Sequence, residues 1–296
     1  MTASRARLDD RRWHWQHGPI DIVAEAEGTA EAVDAAHEAA WRRFPDILPE
    51  LVAELPLLRR PVGPAPNTLR GPVARRMAAA CAPYWPSFVT PMAAVAGSVA
   101  QELIGCYQRP GIARAWLNNG GDIALHLAPG ATVSVGLVSN LADFDCARCT
   151  AFPDGRFTVS SGQPVRGVAT SGWRGRSLSL GIADSVTALA GTAAQADAAA
   201  TMIANAVNVE DPAIQRQPAH ACRDDSDLGA RLVTVDVPTL APEQVARALD
   251  AGHACALQLQ RRGLIWAALL VCQRQWRGVE PISSPHHTRL SQAISA

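Results

Sequence analysis

Two runs of small side chains limit the fold more than any other feature. Residues 92–106 include Ala93, Ala94, Ala96, Gly97, Ser98 and Ala100, and residues 194–207 include Ala194, Ala196, Ala198, Ala199 and Ala200. Alanine is the strongest helix former, so both runs predict helices. Helices this thinly clad can lie very close to a sheet or a ligand. Around them, alternating segments broken by glycine and proline predict strands. Residues 13–18 and 20–26 read as a hairpin about Gly18-Pro19, and residues 122–127 with 132–138 as another about Pro129-Gly130. Strands are also expected at 156–160, 177–180 and 185–189, then at 231–235 and finally 264–272.

Thr29 reads as the N-cap of a helix reaching Phe44, followed by a shorter, proline-broken piece over 45–58. Residues 73–82 and 242–251 predict further helices, Asn118-Asn119-Gly120-Gly121 a turn, and residues 164–172 a segment ending in a glycine-flanked loop. The mixture predicts an α+β domain, with strands in hairpins and small-residue helices on one face. Residues 1–10 read as a tail, 11–276 as a single domain and 277–296 as a polar tail.

The charge pattern narrows the chemistry. The 27 basic residues balance 27 acidic ones, which argues against a nucleic-acid partner. All the basic residues are arginine; lysine is absent. A lysine Schiff base and a Walker-type phosphate loop are therefore excluded. Any phosphate clamp has to use arginine, backbone N–H groups or a metal. With 48% hydrophobic and 18% charged residues the chain is not disordered. No apolar run approaches a membrane span, and the first residues lack an apolar export segment. Seven scattered cysteines fit a reducing, cytoplasmic setting. Cys146 and Cys149 have the spacing of half a zinc site, but no second pair matches them, and they read as incidental thiols.

Asp197 and Thr201 are four apart in a predicted helix, so both point to one side. A carboxylate with a hydroxyl is a hard-oxygen pair of the kind Mg²⁺ takes alongside water and substrate phosphate. An acid placed favourably near a helix start has the same pattern. Spacing alone leaves both readings open. Ser171 lacks the preceding glycine of a hydrolase elbow, Ala169 standing there.

Four motifs in order carry a resemblance: Asn119-Gly120-Gly121-Asp122-Ile123, Ala169-Thr170-Ser171-Gly172, Ser185-Val186-Thr187, and Ala196-Asp197 followed by Thr201. Together they resemble the ApbE-like superfamily of FAD:protein FMN transferases, and most of all its short uncharacterised branch. The resemblance implies a T-fold-like antiparallel sheet, FAD as ligand or substrate, and Mg²⁺ as cofactor. It implies Asp197 and Thr201 as catalytic metal ligands, with a backbone carbonyl at Ala96 as a third. Gly120, Gly121 and Asp122 would lie beside the nucleotide, and Thr170, Ser171, Gly172 and Arg174 would contact its phosphates. FMN transfer to a protein acceptor, FAD hydrolysis to FMN and AMP, a flavin or cofactor carrier role without turnover, and a different cofactor-biosynthesis enzyme on the same scaffold are the functions left open, with self-association compatible with each. The family's lysine has no match in residues 93–98, nor its histidine-containing segment in residues 177–184.

Overall fold

The computed structural model describes residues 2–65, 67–137 and 155–282. In chain order these form β1 (Ser4–Arg7), β2 (Arg12–His17), β3 (Ile20–Gly28), α1 (Ala30–Leu58), α2 (Pro72–Cys81), α3 (Val95–Ile104), β4 (Ile112–Asn119), β5 (Asp122–Leu127), β6 (Thr132–Leu137) and β7 (Gly155–Ser160). There follow β8 (Gly167–Ser171), β9 (Ser185–Ala190), α4 (Ala193–Ala206), β10 (Gln215–Pro218), α5 (Ala219–Cys222), β11 (Leu232–Asp236), α6 (Pro242–Arg261), β12 (Ala267–Cys272) and β13 (Gln275–Val279). The fold is α+β with antiparallel strand pairing. No helix among the described residues is long and apolar enough to cross a membrane. Cys146 and Cys149 lie outside the described residues.

The chain divides into two compact units. The first takes the described residues up to Val133, with Thr158–Ala169 and Ala190–Ala198. There β1 to β5 pair antiparallel in chain order, and Gly167 and Val168 of β8 pair with Ala124 and Ile123 of β5. The β2–β3 hairpin turns at Gly18, as its sequence predicts. Ser4–Arg7, inside the stretch read as a tail, is strand β1, and it pairs with Trp13 to Gln16 of β2. α1 packs on β3, and α3 on β4 and β5. Trp15, Ile22, Ala115, Leu117, Phe44, Met77, Leu103 and Tyr107 are fully buried in this unit's core.

Several predicted elements come out differently. α1 is one helix of 29 residues that carries Pro45, Pro49 and Pro56 inside it. The buried stripe Ala36, His37, Ala40, Phe44, Ile47 and Leu51 continues across the first two prolines. Tertiary burial along that stripe outweighs the lost backbone hydrogen bonds. The strand β5 does not form a hairpin with β6. Its two edges are taken by β4 and β8, and β6 pairs with β7 in a separate two-stranded sheet. Residues 167–171, expected in a loop, are strand β8, and residues 177–180 are not a strand.

Backbone-close packing explains the small residues. A Cβ on Gly97 would run into the Ala193 carbonyl and reach the Asp197 Cβ at 2.9 Å. One on Gly167 would run into the Thr192–Ala193 backbone. Without those glycines, α3, β8 and the start of α4 could not approach each other as they do.

The second unit takes Thr170–Leu189 and the described parts of Ser134–Phe157 and Ala199–Ala296. In it β9, β12 and β13 run antiparallel, and β10 pairs with β11. All six residues of β9 are buried. α6 covers β12 and β13 through Val245, Leu249, Gly252 and Ala256. Residues 211–228 contain β10 and α5, and β12 is followed by β13 rather than being the last strand.

Candidate functional site

The site in the first unit is built where α3 begins. Thr90 caps the turn Pro91–Ala94, its Oγ1 accepting the Met92 N–H at 3.2 Å, and the chain enters α3 at Val95. The first N–H groups of a helix have no acceptor within it. Asp197 of α4 supplies one. Its Oδ2 accepts the Gly97 N–H at 2.9 Å, and the nearby Ala96 N–H also favours the charged carboxylate.

The same peptide group is held from its other end. The Ala96 carbonyl accepts Asn119 Nδ2 at 3.1 Å, and Asn119 Oδ1 accepts the Asp21 N–H at 3.3 Å. Asn119 closes β4 opposite Asp122, with Gly120 and Gly121 between them at φ +67° and +114°. Such a tight turn needs positive φ at both central residues, which glycine supplies. Asn118 Oδ1 accepts the Gly121 N–H at 2.8 Å and braces the turn.

These contacts bring Asp197, Asn119, Ala96 and the glycine turn together. Asp197 is half-buried as a residue, and the loss of hydration around its carboxyl dominates its behaviour. Burial first, and then the nearby negative charge of Asp122, push its pKa well above the usual carboxylate range. The Gly97 and Ala96 N–H groups pull the other way and do not offset it. A carboxyl with so little hydration and a like charge nearby favours either a proton or a cation.

The Ala96 carbonyl and the Gly97 N–H belong to one peptide group, held by two different side chains. In a trans peptide the carbonyl and the next N–H point in opposite directions. Asp197 holds the Gly97 N–H, so the Ala96 oxygen points along α3, away from the carboxylate and onto Asn119.

In the second unit, Thr201 follows Asp197 by one helical turn on α4 and is partly open to solvent. Thr170 Oγ1 and Thr187 Oγ1 share a hydrogen bond of 3.0 Å. Ser171 ends β8 and is half-buried, while Gly172 is buried. A Cβ on Gly172 would run into the Asp184 carbonyl. Trp173 Nε1 donates to Asp184 Oδ1 at 3.3 Å, and the exposed Arg174 guanidinium lies 4.7 Å from the Trp173 ring centre. Such stacking leaves the outer guanidinium face available to an anion.

Among the described residues no group of three or more His, Cys, Asp or Glu side chains is arranged to hold a metal. One carboxylate and one hydroxyl per ion is what Mg²⁺ accepts when a phosphate and water complete its shell. Asp197 and Thr201 are side chains of those two chemical types. The residues that sequence reasoning left out of the site are Asn119 and Gly97. Asn119 stood inside the quoted turn motif, and the only signal for Gly97 was the small-residue run.

A family model described as AbpE bacteria matches residues 5–278. The chain belongs to this ApbE-like family. Among its relatives is a UPF0280 protein of Methanothermobacter thermautotrophicus, 40% identical over 124 residues, covering 42% of this chain and 44% of the relative. A UPF0280 protein of Methanospirillum hungatei is 33% identical over 144 residues, covering 48% of this chain and 54% of the relative. One from Methanosphaerula palustris is 33% identical over 198 residues, covering 66% of this chain and 77% of the relative. The chain thus spans about half the length of the first two. Membership of the ApbE-like family supports a flavin-related role at the family level.

Proposed function

We propose that this protein binds FAD and acts on its diphosphate with Mg²⁺, releasing AMP. The observation that carries this is the Asp197 carboxylate: poorly hydrated, within reach of the charge of Asp122, and set against the start of α3. Such a group is satisfied by a hard cation more completely than by the Gly97 N–H alone. Asp197, with Thr201 one turn later, is the pair that would hold it. Bound there, Mg²⁺ would neutralise charge on the bridging phosphates.

The chain's own residues then have defined tasks. Asp197 keeps its orientation through the Gly97 N–H, and the Gly120-Gly121 turn presents backbone without side chains in the way. Thr170, Ser171, Gly172 and Arg174 are proposed to donate to phosphate oxygens. Phosphoryl chemistry of this kind depends on positioning and charge more than on a protein nucleophile. The attacking oxygen, from water or a hydroxyl acceptor, forms a bond to the FMN phosphorus, and the bond to AMP breaks. AMP leaves with the bridging oxygen and its electron pair. Hydrolysis by water is the better supported outcome, because the chain has no lysine and residues 177–184 carry no histidine. The T-fold-like description of the sheet belongs to the same reading and is supported by the antiparallel pairing of β2 to β5.

The test is AMP release from FAD, measured with and without Mg²⁺. Release only with the metal, and loss of it in Asp197→Ala with the fold intact, is expected. Tight FAD binding without AMP release at any Mg²⁺ concentration would leave a carrier, and no affinity for FAD would overturn the proposal.

A further inference from the structure

We infer that Asn119 is a positioning residue that sets Asp197 for its cation by clamping the Ala96–Gly97 peptide; this deepens, and rests on, the function proposed above. The peptide is gripped at both poles. Asn119 Nδ2 holds its carbonyl at 3.1 Å and Asp197 Oδ2 holds its N–H at 2.9 Å. A peptide plane held at one end can rock about its Cα–Cα axis. Held at both ends it cannot, and the direction of the Gly97 N–H is fixed along with it. That direction decides which lone pair of Asp197 is occupied and which is left for a metal.

Asn119 is suited to the task because it is itself immobile. It is only 4% exposed, and its Oδ1 accepts the Asp21 N–H from the start of β3. The amide has one consistent orientation: its donor end faces a carbonyl and its acceptor end an N–H, and the reverse would leave both unpaired. Asp21 is in turn tied to β2, its Oδ1 lying 2.9 Å from His14 Nε2. Positions 118 and 119 have separate tasks. Asn118 braces the glycine turn, whereas Asn119 reaches the helix start.

The experiment is Mn²⁺ binding to the purified full chain, followed by electron paramagnetic resonance, for wild type, Asn119→Ala and Asn118→Ala. Asn119→Ala is expected to weaken Mn²⁺ about tenfold, the usual effect of losing an outer-shell support. Asn118→Ala, which loosens the same turn without touching Ala96, is expected to weaken Mn²⁺ clearly less than Asn119→Ala does. Equal affinities in wild type and a folded Asn119→Ala overturn the inference, and so does equal weakening in both variants. A wild type that binds no Mn²⁺ overturns the functional reading itself. Should Asn119→Ala fail to fold, the wild type decides by nitrogen-15 NMR. Adding Mg²⁺ is expected to shift the Gly97 backbone amide and the Asn119 side-chain amide together. A Gly97 shift with the Asn119 amide unmoved sinks the clamp.

Discussion

His37 Nδ1 and Tyr107 Oη lie 2.7 Å apart inside the first unit, where one α1 side chain meets the turn after α3. Tyr107 is fully buried and His37 is 5% exposed. Trp13 and Trp15 approach the imidazole at 6.3 and 6.4 Å, the second edge-on. The ring is thus held by one hydrogen bond among aromatic faces. Burial pushes the Tyr107 phenol well above its ordinary pKa.

The first prediction concerns pH. Burial lowers the His37 pKa from 6.5 to about 4, with Arg7 lowering it further and Asp34 and Glu38 opposing. The unfolded chain therefore takes up a proton before the folded one does. His37 adds stability above pH 6.5 that is lost as pH falls toward about 4. Urea midpoints of wild type and His37→Gln across that window check this. The wild type is expected to lose up to about 1.4 kcal/mol per pH unit from this group, and the variant less. Parallel pH profiles would exclude it.

The second prediction separates two duties of Asp197. Asp197→Asn keeps an acceptor for the Gly97 N–H and removes a poorly hydrated charge. Asp197→Ala removes both. The alanine variant is expected to lose about 1 kcal/mol, the scale of a lost helix cap. The asparagine variant is expected to match or exceed the wild type in thermal stability without Mg²⁺, because no like charge then faces Asp122. Both are expected to lose AMP release. A stable asparagine variant that still turns over would separate catalysis from the carboxylate.

Glycine packing gives the third. Gly97→Ala drives a methyl into the Ala193 backbone and against Asp197, and Gly167→Ala meets Thr192 and Ala193. Backbone cannot step aside as a side-chain tip can. Each variant is expected to lose about 1–3 kcal/mol by chemical denaturation. Gly97→Ala is also expected to weaken Mn²⁺ binding, because it separates the two helix starts that form the site.

Local signals explain how much was legible beforehand. Gly18 at φ +57°, flanked by alternating residues, announced the β2–β3 hairpin, and the alanines of α4 announced a helix. Asp197, Gly120, Gly121 and Asp122 were visible because each sits in a short motif. α1 was misread because prolines act locally, while the stripe that overrides them gains its energy only from packing. The strand β8 looked like a loop because Gly167 has no side chain; its glycine records a close approach to Thr192. Asn119 could be read only as a turn residue, since Ala96 and Asp21, which it binds, are distant in sequence.

The last prediction isolates conformational strain at the turn of the site. Gly121 sits at φ +114°, and a Cβ there would meet nothing within 4 Å. Gly63 is equally open but needs no positive φ. Alanine at 121 is therefore expected to destabilise by about 1–3 kcal/mol through backbone strain alone. At 63 it is expected to be neutral or to stabilise by about 0.4–1 kcal/mol, because it restricts the unfolded chain. Thermal melts of the two variants compare them directly. The sharper check is D-alanine at 121, introduced by chemical ligation: its mirror-image Cβ suits positive φ, so wild-type stability should return. If L- and D-alanine at 121 were equally harmful, crowding rather than strain would be responsible, and the open space beside the turn would have to be filled by something that approaches it in solution.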